Sequence, residues 1–151
     1  MAAKAPFSEV LLMVDGTDAS LRAAEYAVEL CRFAQARLAA LAVVDTETLR
    51  NLLSTRIMVQ VEMEEFEAEL EASAEKQLKR VSQMASDSKV KVETIMMKGT
   101  THTAFLEEES RRSPDLIVMG GYTSSILKRD LPARERQRVM DESATPILLV
   151  R

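Results

Sequence analysis

Residues Asp115–Tyr122 spell Asp-Leu-Ile-Val-Met-Gly-Gly-Tyr, and this stretch decides the fold. Its apolar run, Leu116–Met119, is unbroken and stops at two glycines, which is typical of a strand buried on both faces of a parallel sheet. Glycines at the end of such a strand allow a sharp turn and the close approach of a ligand. A second apolar run, Val10–Val14, stops at Asp15 and Gly16. We predict that these two strand ends face each other and that a binding site lies between them.

The composition is that of an ordinary globular protein. The chain has 151 residues, of which 46% are hydrophobic and 29% charged, enough for a single domain over residues 1–151. The net charge of −4 and the absence of tryptophan do not favour nucleic-acid binding, and no apolar run is long enough to cross a membrane. A single cysteine, Cys31, cannot form an internal disulfide, and Met1–Ser8 does not resemble a signal peptide. We therefore expect a cytoplasmic protein that binds neither nucleic acid nor membranes.

Strand and helix patterns alternate along the chain. The predicted strands are Val10–Val14, Leu38–Val44, Val90–Met96, Leu116–Met119 and Ile147–Val150. The predicted helices are Ala19–Gln35, Val59–Ala85, Thr101–Arg112 and Asp130–Ser143. Because parallel strands need crossover helices, this alternation predicts an α/β fold with helices on both faces of an open sheet. Ligands bind such sheets at the carboxyl ends of the strands, where all four glycines of this chain fall.

Three segments need separate comment, because their patterns bear on the type or the position of the predicted element. Thr46–Gln60 is too long for a tight loop, and its leucines could form a short helix. Val59–Ala85 carries apolar residues at helical spacing throughout, which predicts one long helix whose acidic outer face we interpret as solvated. Val90–Met96 mostly alternates apolar and polar residues, which favours a position at the edge of the sheet.

Four stretches, spread over nearly the whole chain, resemble the universal stress protein family. They are Val10–Ser20, Leu41–Asp45, Asp115–Gly120 and Ala144–Arg151. They look like the family's first strand with its acidic turn and helix, its second strand, its fourth strand and its ending. The resemblance implies a Rossmann-like, open five-stranded parallel sheet in the order 3-2-1-4-5. That order places the ligand crevice between strands one and four, beside Asp15 and Gly120.

Nucleotide-binding members of this family carry a motif after strand four: Gly, two residues, Gly, nine residues, Gly, then Ser or Thr. Glycines there let backbone N–H groups approach phosphates. In this chain the four positions hold Gly120, Thr123, Ala133 and Arg134, so three of them depart from the motif. The resemblance therefore places the chain with members that lack the ATP signature. We expect no cofactor, and ATP, if it binds, should bind weakly.

The resemblance also marks a degenerate nucleotide site. Its candidate residues are Asp15, Val43, Gly120, Gly121, Thr123 and Arg134. Asp15 matches a family position beside the nucleotide, but aspartate also organises turns, and both interpretations stay open. Val43 matches a position that backs the adenine, although a core valine is the simpler interpretation.

No catalytic or metal site is predicted. His102, the only histidine, has no metal ligand at suitable spacing and is expected in water at a helix start. Cys31 lies on an apolar helical stripe and is expected to be buried and inert. No Ser-His-Asp or Cys-His arrangement is evident around the single histidine, so we predict no enzyme.

A basic cluster follows the paired glycines and falls within 11 residues. Its members are Lys128, Arg129, Arg134, Arg136 and Arg138. The cluster is either a solvated helix face or a surface that draws anions toward the crevice.

Two functions are compatible with these patterns. The first is a non-enzymatic stress-response or regulatory protein that acts through protein partners and has a degenerate nucleotide site. The alternative is a nucleotide- or phosphate-binding switch that uses Asp15 and the loop from Gly120 to Arg134. Family members form dimers through the last strand, and an apolar exposed edge invites pairing. A homodimer is therefore predicted through Ile147, Leu148, Leu149 and Val150.

Overall fold

The computed structural model describes residues 7–56, 59–121 and 131–151. The strands in these ranges are β1 (Glu9–Val14), β2 (Arg37–Asp45), β3 (Val92–Gly99), β4 (Leu116–Gly120) and β5 (Ile147–Val150). The helices are α1 (Asp18–Ala34), α2 (Thr46–Ser54), α3 (Gln60–Asp87), α4 (Thr101–Arg112) and α5 (Leu131–Glu142). The predicted elements agree with these bounds to within three residues, and α2 is the short helix that the leucines after Asp45 allowed. The sequence also predicts a loop or short turn over Tyr122–Arg129, which lies outside the described residues.

All five strands are parallel and lie in the order β3-β2-β1-β4-β5, which confirms the predicted sheet. The central strand is β1, in which Val10 pairs with Leu38 of β2 on one side and with Leu116 of β4 on the other. Because the strands are parallel, all their carboxyl ends meet at one edge of the sheet. Asp15, which follows β1, and Asp45, which ends β2, are thereby brought to the same edge.

The sheet separates two apolar layers, because successive side chains of a strand point to opposite faces. On one face, Leu12 packs in a layer with the buried residues of α1 and α3. On the other face, Leu11 packs with Phe105 of α4 and Val139 of α5. Solvent does not reach Leu11 or Leu12, because both side chains are fully buried. This double burial explains why Val10–Val14 has no polar alternation.

The apolar stripe of α3 packs against the core from Leu70 onward. Its buried residues begin at Ala74, whereas Phe66 is 39% exposed and Val59, its N-cap, 60% exposed. The residues of the stripe before Leu70 belong to neither apolar layer. The reason is length: 28 residues of helix span roughly 42 Å, but the nine residues of β2 span only about 30 Å. The first half of α3 therefore lacks a sheet to cover it.

The two edge strands differ in protection. β3 lies at one edge, as predicted, and carries the exposed charged residues Glu93 and Lys98. β5 lies at the other edge, where Leu149 is 40% exposed and no residue of the strand is charged. The edge formed by β5 therefore lacks the charged side chains that oppose pairing with another chain at β3.

Candidate functional site

A cavity of about 380 Å³ opens at the carboxyl edge of the sheet. Its walls combine Asp15 after β1, Val43 of β2, Gln77 of α3, and Glu135 and Arg136 of α5. Small-molecule sites commonly enclose about 300–1,000 Å³ and combine apolar walls with a few polar groups. The cavity fits that description, and two of its residues, Asp15 and Val43, are predicted site residues.

The turn between β1 and α1 sets the position of Asp15. Gly16 has a φ of 83°, which favours glycine, and lets the chain reverse directly into α1. Thr17 caps the helix by accepting a hydrogen bond from the backbone N–H of Ser20 at 3.1 Å. The backbone N–H and the hydroxyl of Thr17 donate to Oδ1 of Asp15 at 3.1 and 2.6 Å. Asp15 thus organises the turn, which is one of its two interpretations from the sequence. Its second carboxylate oxygen still faces the cavity.

That second oxygen meets Arg136. Nη1 of Arg136 donates to Oδ2 of Asp15 at 2.9 Å, and the exposed fractions of the two side chains are 7% and 12%. Charge-assisted hydrogen bonds of this kind are about twice as strong as neutral ones. The pair ties α5 to the end of β1 and lies in the wall of the cavity.

The neighbouring carboxylate of Glu135 is bound by His102. Oε2 of Glu135 accepts from the backbone N–H of His102 at 2.7 Å and lies 2.6 Å from Nδ1 of its ring. Nη1 of Arg138 lies 3.2 Å from the other ring nitrogen. The side chain of His102 is only 14% exposed, so the expectation that it lies in water is wrong. The helix start is indeed there, but α5 packs beside α4 and covers it.

Gly120 has a role in packing that is separate from its place in the nucleotide motif. A Cβ atom at this position would lie 2.7 Å from backbone atoms of Ala19 and Ser20, so glycine lets α1 approach the end of β4. At Gly121 the nearest atom to such a Cβ is Cγ of Leu149, at 3.1 Å. Neither glycine is among the described residues that line the cavity. The described part of the cavity wall lies over β1 and β2.

The basic cluster is divided by the packing of α5. Arg134 and Arg138 are exposed, whereas Arg136 is buried and lines the cavity. The interpretation of the cluster as a solvated face is therefore wrong for Arg136. Two members of the cluster, Lys128 and Arg129, lie outside the described residues. Thr123 of the glycine motif lies outside them too.

A signal for Arg136 was present in the sequence. Ala133 and Val139 are buried at 3% and 0% exposure, and Arg136 stands three residues from each. Positions three apart share a helix face. Helical spacing therefore predicts that Arg136 faces the sheet. The nucleotide motif, in contrast, selects Arg134.

The remaining reactive residue, Cys31, is buried as predicted. Burial raises the pKa of its thiol to about 11, which keeps it protonated at neutral pH. Among residues 7–56, 59–121 and 131–151, no three His, Cys, Asp or Glu side chains are grouped to hold a metal ion. Nor does any helix within those ranges have the length and apolarity needed to cross a membrane.

Solved structures share this fold. The protein MJ0577 matches with a TM-score of 0.75 and 19% identity, over 95% of both chains. A universal stress protein solved in complex with cAMP matches with a TM-score of 0.68 and 22% identity, over 96% of this chain and 97% of that one. The universal stress protein from Archaeoglobus fulgidus, solved in complex with dAMP, matches with a TM-score of 0.63 and 11% identity, over 96% and 98%. At these identities the likeness establishes the fold alone.

Comparison of the sequence with known proteins identifies the family, which the shared fold alone does not. The chain is 28% identical to universal stress protein MJ0531 of Methanocaldococcus jannaschii, over 96% of this chain and 82% of the relative. It is 29% identical to universal stress protein YxiE of Bacillus subtilis, over 96% and 99%. The sequence profile of the universal stress protein family matches residues 6–151. With the predicted strand order also observed, the chain belongs to the universal stress protein family.

Proposed function

We propose that this chain is a cytoplasmic, non-enzymatic regulatory protein of the stress response, which acts through protein partners and does not depend on tightly bound ATP. The observation that carries the proposal is the charge of the crevice. Its described charged residues are Asp15, Asp45, Glu135 and Arg136, three carboxylates against one arginine. A triphosphate placed there would face carboxylates, and the arginine already binds Asp15.

The glycine motif supports the same conclusion. Ala133 occupies a glycine position of the motif and is buried, so its Cβ fills space that a close phosphate contact would need. Arg134 occupies the hydroxyl position and is exposed. Two departures from the motif therefore fall on described residues of α5.

The reactive side chains favour a non-enzymatic role. The imidazole of His102 is held between Glu135 and Arg138, and the thiol of Cys31 is buried and protonated. A general base or a nucleophile must reach a substrate. Neither side chain is among the residues that line the cavity. A single buried cysteine also suits a reducing compartment, which supports the cytoplasmic assignment.

Isothermal titration of the purified protein with MgATP tests the proposal. We expect no saturable binding below millimolar concentration. A micromolar Kd would refute the proposal and favour the switch described next.

A second function, a nucleotide- or phosphate-binding switch, is favoured by the cavity itself. About 380 Å³ beside Val43 and Arg136 is room for a small molecule with an apolar part and an anionic part. The fold relatives solved with cAMP and dAMP make a nucleotide the natural candidate. Native mass spectrometry of freshly purified protein distinguishes the two functions. A co-purified small molecule favours the switch, and its absence favours the partner-dependent regulator.

We also propose that one partner is a second copy of the chain, paired through Ile147–Val150. The support is the uncharged edge of β5 and the exposure of Leu149. Light scattering should give a dimer for the wild type and a monomer for Leu149→Glu. Val61→Glu, which adds the same charge at an exposed position of α3, is the matched control and should stay dimeric. A monomeric wild type at micromolar concentration would reject the dimer.

A further inference from the structure

We propose that the apolar stripe at the start of α3 is the docking surface for a basic, amphipathic helix of a partner protein. The stripe consists of Val59, Met63 and Phe66, which recur at steps of four and three residues, and we call it the outer stripe of α3. The proposal rests on the partner-dependent function proposed above. It adds the surface that the partner covers and the chemistry of the partner.

The outer stripe begins where the core ends. Leu70, the next apolar residue on the same side of α3, still packs against the apolar layer below the helix. Phe66 is 39% exposed, Val59 is 60% exposed and Met63 is half-buried. The stripe therefore continues the core-facing side of α3 past the point where the core covers it. Single exposed apolar side chains are ordinary, whereas a contiguous group of them marks an interaction surface.

A second helix lies beside α3. Helix α2 follows β2 at the carboxyl edge of the sheet and contacts α3. Its residues Leu52 and Leu53 are half-buried. Two packed helices with partly exposed apolar side chains provide the kind of surface that an amphipathic helix of another protein covers.

The same part of α3 is strongly acidic. Residues 59–75 contain no lysine or arginine but seven glutamates, which are Glu62, Glu64, Glu65, Glu67, Glu69, Glu71 and Glu75. Lys98 of β3 forms ion pairs with Glu67 and Glu71 on one side of the helix. One lysine offsets one of these charges, so the surface around the outer stripe stays negative. A partner that covers it must bring positive charge.

A row of three glutamates borders the outer stripe on its other side. Glu62 lies four residues before Phe66 and Glu69 three residues after it, with Glu65 between them. Only Glu62 lies in the first turn, where the helix dipole stabilises a negative charge. Glutamates three and four residues apart on a helix repel each other. Positive side chains of a partner would replace this repulsion by attraction.

These features define the partner. An amphipathic helix can place its apolar face on the outer stripe and its lysines or arginines along the glutamates. The long stems of those side chains cover apolar surface while their charged ends form ion pairs. Nucleic acids and anionic membranes carry the wrong charge for this surface.

A synthetic peptide tests the proposal on the full chain. The probe is a fluorescently labelled helix of roughly 15 residues, about the length of residues 59–71, with leucines on one face and lysines on both flanks. Fluorescence anisotropy should show that it binds roughly tenfold more tightly than a peptide of the same composition in scrambled order. A peptide with glutamate in place of lysine should not bind. Added salt should weaken the binding of the probe.

Two matched pairs of variants locate the surface. Phe66→Ala should weaken the binding of the probe roughly tenfold, because a large apolar contact is lost. Val61→Ala is its control, since Val61 is 63% exposed but lies two residues from Met63, on the opposite side of the helix. It should leave the affinity unchanged.

The second pair removes equal charge from opposite sides of α3. Glu62→Gln/Glu69→Gln should weaken the binding severalfold and reduce its dependence on salt. Glu64→Gln/Glu75→Gln changes exposed glutamates away from the outer stripe and should have a much smaller effect. All four residues are exposed, so this pair decides the proposal even if Phe66→Ala does not fold.

Several results would overturn the proposal. These are equal binding of the probe and the scrambled peptide, equal effects within either matched pair, and binding that does not respond to salt. Light scattering of the chain without peptide gives one more. If Phe66→Ala dissociates an assembly that the wild type forms, a second copy of the chain covers the outer stripe instead.

Failure of this inference is distinguishable from failure of the proposed function. A micromolar Kd for MgATP refutes the ATP-independent function, whereas the probe and the matched variants still decide the docking surface. If neither MgATP nor the probe binds, the partner-dependent function stands and the outer stripe is the wrong surface.

Discussion

Arg112, which is partly buried, and Arg136, which is buried, each tie a helix to the sheet, but they lie at opposite ends of the strands. At the amino end, Arg112 of α4 contacts three carboxylates. They belong to Glu9 at 3.2 Å, Glu93 at 2.7 Å and Glu108 at 2.6 Å. At the carboxyl end, Arg136 of α5 contacts Asp15 at 2.9 Å in the wall of the cavity. The same side chain therefore works in two different surroundings.

The difference lies in what surrounds each charge. Burial disfavours the charged form of Arg112, but its hydrogen bonds to Glu93 and Glu108 outweigh burial and raise its pKa. Its partners come from β1, β3 and α4, so the network holds three elements in place. Arg136 joins α5 to the turn after β1 through Asp15, in the wall of the cavity. The amino end thus carries an ion-pair network that joins three elements, whereas the pair at the carboxyl end borders a cavity.

The comparison predicts its largest effect for a matched pair of substitutions. Arg112→Gln should lower the free energy of unfolding by about 3 kcal/mol, because Glu9, Glu93 and Glu108 lose a shared partner. Arg136→Gln should lower it by only about 1–2 kcal/mol, since Asp15 keeps two hydrogen bonds from Thr17 and water can enter the cavity. Urea unfolding followed by circular dichroism measures both values. The reverse order would contradict the division between the two ends.

At the carboxyl end, a second matched pair separates packing from ligand contact. Gly120→Ala should cost about 1–3 kcal/mol, because its Cβ would overlap the backbone of α1 at Ala19 and Ser20. Gly121→Ala should cost less, since it meets the flexible side chain of Leu149. Thermal unfolding without ligand is the measurement. Equal stability of Gly120→Ala and the wild type would show that Gly120 is not required by packing.

The smallest effect is a pH dependence at the amino end. A hydrogen bond from Arg111, helped by Arg112, outweighs burial and lowers the pKa of Glu108 below its ordinary value of 4.5. A carboxylate with a lowered pKa stabilises the fold above its unfolded pKa, and this contribution disappears as the pH falls through the folded pKa. Between pH 5 and the acid limit, the wild type should therefore lose more stability than Glu108→Gln. Urea midpoints at several pH values test this, and parallel curves would contradict it.

Local sequence patterns were sufficient for the secondary structure. Continuous apolar runs such as Val10–Val14 marked the buried strands, and helical spacing marked Cys31 as a core residue. Both patterns report on neighbours within a few residues, which the chain itself keeps close. The edge position of β3 followed in the same way from its charges.

The order of the strands needed more than local pattern. Alternation of strands and helices predicted a parallel sheet, and the family resemblance supplied the order that the structure confirms. The same resemblance directed attention to Arg134, because it assigns roles by position in a motif. Where a motif is lost, position in it no longer tells which side chain faces the crevice.

By itself, the sequence determined the α/β class, the bounds of nine elements to within three residues and the burial of Cys31. Only the tertiary structure decided that Asp15 meets Arg136, which is 121 residues away, and that His102 meets Glu135, which is 33 residues away. It also decided that Gly120 serves the packing of α1 and that the apolar residues at the start of α3 lie outside the core. The physical reason is that these contacts depend on how separate helices dock on the sheet, and no local periodicity records that geometry.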